Sequence, residues 1–150
     1  MLEAALAYAH LIAILTWVVF IGSTTALTRA DWLNTTALAR LAQVDRLAAV
    51  GAMLALLTGL ARVAFGVKGA AWYGGQPLLW AKLVLWSAMV VAGAGASRRI
   101  QSWQRESARG GGLPAAAEVA AVRRRLMAAS HLMLVIPLLA VCLARGIGVR

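Results

Sequence analysis

The sequence predicts an all-α membrane protein, an antiparallel bundle of four transmembrane helices with both termini on the outer side of the bilayer. Three observations lead there. The 150 residues are 62% hydrophobic and 13% charged, with a mean hydropathy of +0.79, and a soluble domain of that size needs more polar surface to cover its core. Four apolar runs, at about residues 4–27, 47–65, 78–97 and 126–144, approach the length that crosses roughly 30 Å of hydrocarbon. The basic residues, which give a formal net charge of +10, cluster between these runs. Residues 1–150 therefore read as one integral membrane domain.

The first run, Ala4 to Leu27, contains no charge. It begins after Glu3 rather than after Lys or Arg and exceeds the length of a signal-peptide core, so it reads as a retained helix. Thr28 to Arg46 is mixed, and Thr35 to Val44 suggests a short interfacial helix leading into the second span. That span, Leu47 to Phe65, carries Arg62 near its far end, with Arg46 and Arg62 positioned to reach the two headgroup layers. Gly66 to Gln76 reads as a Gly-rich turn with Trp72 and Tyr73. Pro77 suits a first helical turn, and the third span, Leu78 to Ser97, is interrupted by Lys82 alone. A new helix is expected near Pro114, with Arg123, Arg124 and Arg125 before the fourth span, Leu126 to Ala144.

Orientation follows from the arginines. Seven of them (Arg98, Arg99, Arg105, Arg109, Arg123, Arg124 and Arg125) lie between the third and fourth runs, which makes that connection cytoplasmic by the positive-inside rule. Both termini and the Gly66–Gln76 turn then face outward. Tyr8, Trp72, Tyr73 and Trp80 would mark the outer interface, and Trp32 and Trp103 the inner one. The expected setting is a bacterial cytoplasmic membrane, with anionic lipid headgroups meeting the basic clusters. No basic helix or RNA-binding motif accompanies the charge, so nucleic acid is not an expected partner. Gly51, Ala55 and Gly59, and again Gly93 and Ser97, recur at the spacing that lets helices approach closely in lipid. That spacing serves packing within one bundle or a homo-oligomer.

Ionisable groups inside a span are costly and point to function. His10, Arg62, Lys82 and Arg145, one from each run, fall in the outer half, with Glu3 as the nearby acid. Helical phase expects an inward stripe on each helix. These are Glu3, His10, Trp17 and Thr24; Gly51, Ala55, Thr58 and Arg62; Lys82, Trp86, Met89 and Gly93; and His131, Val135, Leu138, Cys142 and Arg145. Surplus positive charge at low dielectric calls for a counter-ion. Lipid phosphate would serve, as would a carboxylate ligand such as a porphyrin or haem b with His10 on the iron. Arg62 and Arg145 alternatively only reach for the headgroups, and His10 alternatively only bonds between helices. His131 lies roughly 10 Å from His10 in depth at about 1.5 Å per residue, so the two do not form a bis-histidine site.

Other chemistries lack their residues. The lone Cys142 rules out an internal disulfide and a multi-cysteine zinc site. No Ser-His-Asp set, HExxH or P-loop is present. Met53, Met89 and Met133 are scattered, which leaves copper handling as a weaker alternative.

The segments "LAYAHLIAILTW", "VDRLAAVGAMLALLTGLARV", "AWYGGQPLLWAKLVLW" and "AEVAAVRRRLMAASHLMLVIPLLAVCLARGIG" resemble a bacterial family of four-span membrane proteins classed as domain of unknown function 2214. A more distant resemblance is to HemJ-type protoporphyrinogen oxidases, four-span haem b proteins, through His10 in "AHLIAILTW" and Lys82 in "WAKLVL". It implies His10 as an axial metal ligand and Lys82 as a catalytic or substrate-binding group, in an oxidoreductase acting on a porphyrin or quinone. The segment "VVFIGSTTALTR" departs from that family, which has Leu-Pro-Arg and a further His there. Copper-resistance D-like membrane proteins are a fainter likeness. The expectation is thus a haem- or porphyrin-binding bundle with His10, Arg62, Lys82 and Arg145 at the cofactor. The alternative is a non-enzymatic membrane protein: an anionic-solute carrier, a complex subunit or a copper handler.

Overall fold

The computed structural model describes residues 1–145. Its helices are α1 (Leu2–Leu27), α2 (Thr35–Phe65), the short α3 (Gly69–Gly74), α4 (Pro77–Ala108), α5 (Ala116–Met133) and α6 (Val135–Ala144), with one 3₁₀ turn at Ala30–Trp32. The described residues contain no strand. Four helical stretches, with α5 and α6 together forming the last, are long and apolar enough to cross a bilayer.

Local chemistry sets the ends. The Asn34 side chain accepts a hydrogen bond from the Ala37 N–H (2.8 Å) and caps α2. Pro77 opens α4 at a position where its missing N–H costs nothing. Gly110 (φ +82°) closes α4, with the Gly111 N–H returning to the Glu106 carbonyl at 2.9 Å. The break at Leu134 has its cause in Pro137, which cannot donate to the carbonyl four residues back.

Two helices run further than the sequence expects. α2 begins at Thr35, absorbing the expected interfacial helix, and α4 continues to Ala108. No Pro or Gly lies between Asn34 and Gly51 to stop α2. With 31 and 32 residues, these helices reach about 46 and 48 Å at 1.5 Å per residue, well beyond a ~30 Å hydrocarbon layer. The surplus lies at the Arg-rich end. There Leu38, Leu41 and Ala42 of α2, Ala96, Ile100 and Trp103 of α4, and Val119, Val122 and Leu126 of α5 close into a core. Trp103, expected at the interface, is inside this core at 3% exposure, and its Nε1–H donates to Glu118 Oε2 at 3.3 Å.

A second core joins all four stretches nearer mid-bundle, through Ala13, Trp17 and Ile21 of α1, Ala55 of α2, Met89 of α4, and Ala129 and Met133 of α5. Outside it, Leu11, Leu15 and Val19 on α1 and Val50, Met53 and Leu57 on α2 are exposed, the arrangement of a bundle that turns apolar surface to lipid. Around the bundle α1 neighbours α2 and α5, while α4 neighbours α2, α5 and α6. α1 makes at most marginal contact with α6. The Arg-rich end is closed by a three-helix core, whereas at the other, the open end, α1 and α6 make little direct contact.

Glycine sets how closely α1 and α2 approach. A Cβ added at Gly51 would lie 2.9 Å from Trp17 Cα, and one at Gly59 would lie 3.1 Å from His10 Cε1. The small-residue ladder of α2 therefore serves packing within the bundle. Gly93 has nothing within 4 Å of its added Cβ.

Candidate functional site at the open end of the bundle

Helical phase brings three of the four expected stripes inward. Trp17 and Thr24 are buried on α1, Gly51 and Ala55 on α2 and Met89 on α4, while Glu3, His10, Thr58, Arg62, Lys82 and Trp86 are half-buried on the same faces. The fourth expectation fails. His131, Val135, Leu138 and Arg145 are exposed, and Ala129, Ser130 and Met133 face inward instead. His131 lies on the side of α5 away from Leu126, Ala129 and Met133, so the expected stripe followed the outward face from its first residue.

His10 is held from two sides. Its ring rests on Gly59, and its Nδ1 lies 2.9 Å from Thr58 Oγ1. The Thr58 hydroxyl gives its own proton to the Leu54 carbonyl at 2.7 Å, so toward His10 the oxygen acts as acceptor. Nδ1 then carries the proton of the neutral imidazole, and Nε2 holds the free lone pair. A hydrogen bond that fixes one ring nitrogen in this way is the arrangement that orients a histidine ligand.

Arg62 is not free, as the sequence had left it. Its Nη2 donates to Glu3 Oε1 at 3.2 Å, and the other oxygen of that carboxyl accepts from the Val67 N–H at 3.2 Å. Among the described residues this is the only ion pair. It ties the start of α1 to the turn after α2. The Nε of Arg62 remains buried without a partner. Lys82 is half-buried near Arg62 and His10 and forms no ion pair among the described residues. One turn further along α4, the indole N–H of Trp86 is buried and also unpartnered. The structure thus gathers Glu3, His10, Arg62 and Lys82 at one end and adds Trp86, which the sequence offered only as an apolar stripe member. Arg145 is exposed at the end of the described chain, and its side chain forms no hydrogen bond or ion pair with the described residues. His131 is exposed too, its Nδ1–H donating to the Met127 carbonyl at 2.6 Å, well away from a shared site with His10.

Of the groups gathered here, His10 Nε2 could ligate a metal, and Lys82 with the Arg62 and Trp86 N–H groups could donate to carboxylate oxygens. The space beneath is filled by Ala13, Ala55, Met89 and Met133, so a flat ligand would enter where α1 and α6 part. Among the described residues no three His, Cys, Asp or Glu side chains gather as a metal site. Of the methionines, Met53 faces outward, and only Met89 and Met133 share the interior.

One polar cluster went unnoticed in the sequence. Asp45, only 4% exposed, accepts from Ser97 Oγ at 2.6 Å and from Gln101 Nε2 at 3.0 Å. Gln101 also donates to the Ala42 carbonyl at 3.0 Å and accepts from Arg46 Nε at 3.3 Å. In the sequence Asp45 is one of several charges in the mixed stretch from Thr28 to Arg46. Its i, i+4 relation to Leu41 and its i, i+3 relation to Ala42, both core residues, are the signal that could have placed it inside.

A family model of predicted membrane proteins, DUF2214, matches residues 2–148. No curated protein and no solved structure matches the chain. With nearly its whole length covered, the chain belongs to the DUF2214 family of predicted membrane proteins.

Proposed function

We propose that this DUF2214 membrane protein binds an amphiphilic carboxylate ligand at the open end of its bundle, haem b or a porphyrin being the ligand its residues suit best. The observation that carries the reading is the set of unanswered donors there. Arg62 Nε and Trp86 Nε1 are buried without acceptors, and Lys82 is half-buried without an ion pair. Buried donors without acceptors cost free energy, and a ligand carboxylate would relieve that cost. His10 adds a nitrogen lone pair whose tautomer Thr58 fixes. In this reading His10 binds the metal, and Lys82 and Trp86 hold a propionate. Arg62 shares its charge between Glu3 and the ligand, and Arg145 sits at the rim. A bound haem would supply one-electron chemistry. The Arg-rich end would face the cytoplasm of a bacterial inner membrane, placing the ligand in the outer half.

Absorbance tests the proposal. Protein purified from haem-supplemented cells should show a Soret band, which His10→Ala removes or shifts and His131→Ala leaves unchanged. A colourless protein, or a band indifferent to His10→Ala, overturns the haem assignment.

The Glu3–Arg62 pair favours a second reading, in which the ligand is a colourless anionic amphiphile. With Arg62 partly neutralised, Lys82 is the inward cation left to meet one carboxylate, where haem b offers two propionates. Glu3→Gln would release Arg62 and raise affinity for a doubly charged ligand more than for a singly charged one. Titration with a dicarboxylic porphyrin and a fatty acid separates the two.

A further inference from the structure

At the opposite end, where α1 finishes, a cleft of about 130 Å³ lies between the 3₁₀ turn and the start of α5. Thr28, Arg29, Asp31, Val119, Ala120 and Arg123 line it. Two arginines therefore line one small space. Neither is answered by an acid, because the one ion pair among the described residues is Arg62–Glu3. Asp31 shares the lining without pairing to either arginine. Arg29 is held in place by Trp32, whose ring centre lies 4.4 Å from the guanidinium carbon. The Nε of Arg123 is buried with no hydrogen-bond partner. Its neighbours Arg124 and Arg125 are exposed, so Arg123 is the arginine of the triplet turned into the fold.

We propose that this cleft binds a phosphate group, with the Arg29 and Arg123 guanidiniums as its donors. Planar N–H forks match phosphate oxygens and make charge-assisted hydrogen bonds. Two arginines against one aspartate leave one positive charge, the complement of a phosphodiester monoanion. The cleft lies where the uncharged stretch from Ala4 to Leu27 gives way to Arg29 and Asp31, the level at which lipid headgroups meet a spanning helix. Free phosphate offers the same oxygens, and the experiment separates the two sources.

Protein in a neutral detergent would be mixed with phosphatidylglycerol, phosphatidylcholine or inorganic phosphate, and bound lipid counted by native mass spectrometry alongside thermal unfolding. Retained phosphatidylglycerol should fall about tenfold in Arg123→Gln, the loss of one charge-assisted pair, and similarly in Arg29→Gln. It should hold in Arg124→Gln and rise in Asp31→Asn. Stabilisation by inorganic phosphate with the same dependence on Arg123 would assign the site to the free ion. Equal losses in Arg123→Gln and Arg124→Gln would mean diffuse attraction to a basic surface and overturn the proposal, as would no binding of either probe. Arg29 is on a different element from Arg123, so a folding defect in one variant leaves the other as the test.

Discussion

At the Arg-rich end, nine core residues from three helices are between 0 and 4% exposed, and the buried Asp45 carboxyl has a donor on each oxygen. At the other end, α1 and α6 make little direct contact, Arg62 Nε and Trp86 Nε1 lack acceptors, and Lys82 forms no ion pair among the described residues. The two ends are built from the same helices, so composition alone does not separate them. The solvent around each end differs. The Arg-rich core has Arg40, Arg98, Arg99, Arg105 and Arg124 around it, all exposed, and there helix association gains from removing apolar surface from water. Within lipid that gain vanishes, and close packing and polar contacts must hold the helices together. An end held only by such contacts can leave a flank unclosed and donors unanswered. A ligand site needs both.

The largest effect should come from emptying the Arg-rich core. Trp103→Ala removes a 3% exposed indole and its bond to Glu118, and should cost about 3–5 kcal/mol. Denaturant unfolding in mild detergent would measure it. A much smaller loss would mean that this end is not the stable half.

Next comes the contact that fixes α1 on α2. The Cβ of Gly51→Ala would fall 2.9 Å from the Trp17 Cα, and backbone cannot move aside as a flexible side chain can. About 1–3 kcal/mol should be lost. Gly93→Ala meets nothing within 4 Å and should be neutral or stabilising by up to about 1 kcal/mol. If the two variants behaved alike, close approach would not be the reason for Gly51.

A smaller effect tests the polar cluster. Asp45→Asn keeps an oxygen for Gln101 Nε2 but turns an amide toward Ser97 Oγ, which must then accept, and both bonds lose the carboxylate charge. A loss of about 1–1.5 kcal/mol is expected. Combining it with Ser97→Ala should cost less than the two single losses added, because the partners are shared. Full additivity would show that the 2.6 Å contact carries little energy.

These cases also show how far the sequence could be read. The four spans, the inward faces of α1, α2 and α4, and the meeting of His10, Arg62 and Lys82 followed from apolar run length and helical phase. Phase failed for the last stripe because it was anchored on His131, which lies on the outward face of α5, and Val135 and Leu138 follow it outward. The long α2 and α4 were missed because span-finding stops at charge, whereas a helix stops only at Gly, Pro or a cap. Asp45 and Trp103 were misplaced for a related reason. Their burial depends on which helices meet beyond the membrane, and no single helix encodes that. The Glu3–Arg62 pair was half-legible, in that proximity was foreseen but not that the pair would occupy Arg62.

The smallest expected change in stability bears most directly on function. Trp103→Phe and Trp86→Phe each delete one indole N–H from a packed ring. For Trp103 the deleted group has an acceptor in Glu118, and the loss should be about 0.5–1.5 kcal/mol or more. For Trp86 it has none, so deletion removes an unsatisfied buried donor and the apo protein should be unchanged or slightly firmer. The same change should weaken ligand binding at the open end, because the donor kept without a partner is the one the ligand would answer. A stability gain together with a loss of ligand affinity is the mark of a group retained for binding. Were Trp86→Phe to destabilise the protein as much as Trp103→Phe does, its N–H would be satisfied within the fold, and the ligand would lose a donor the proposal assigns to it.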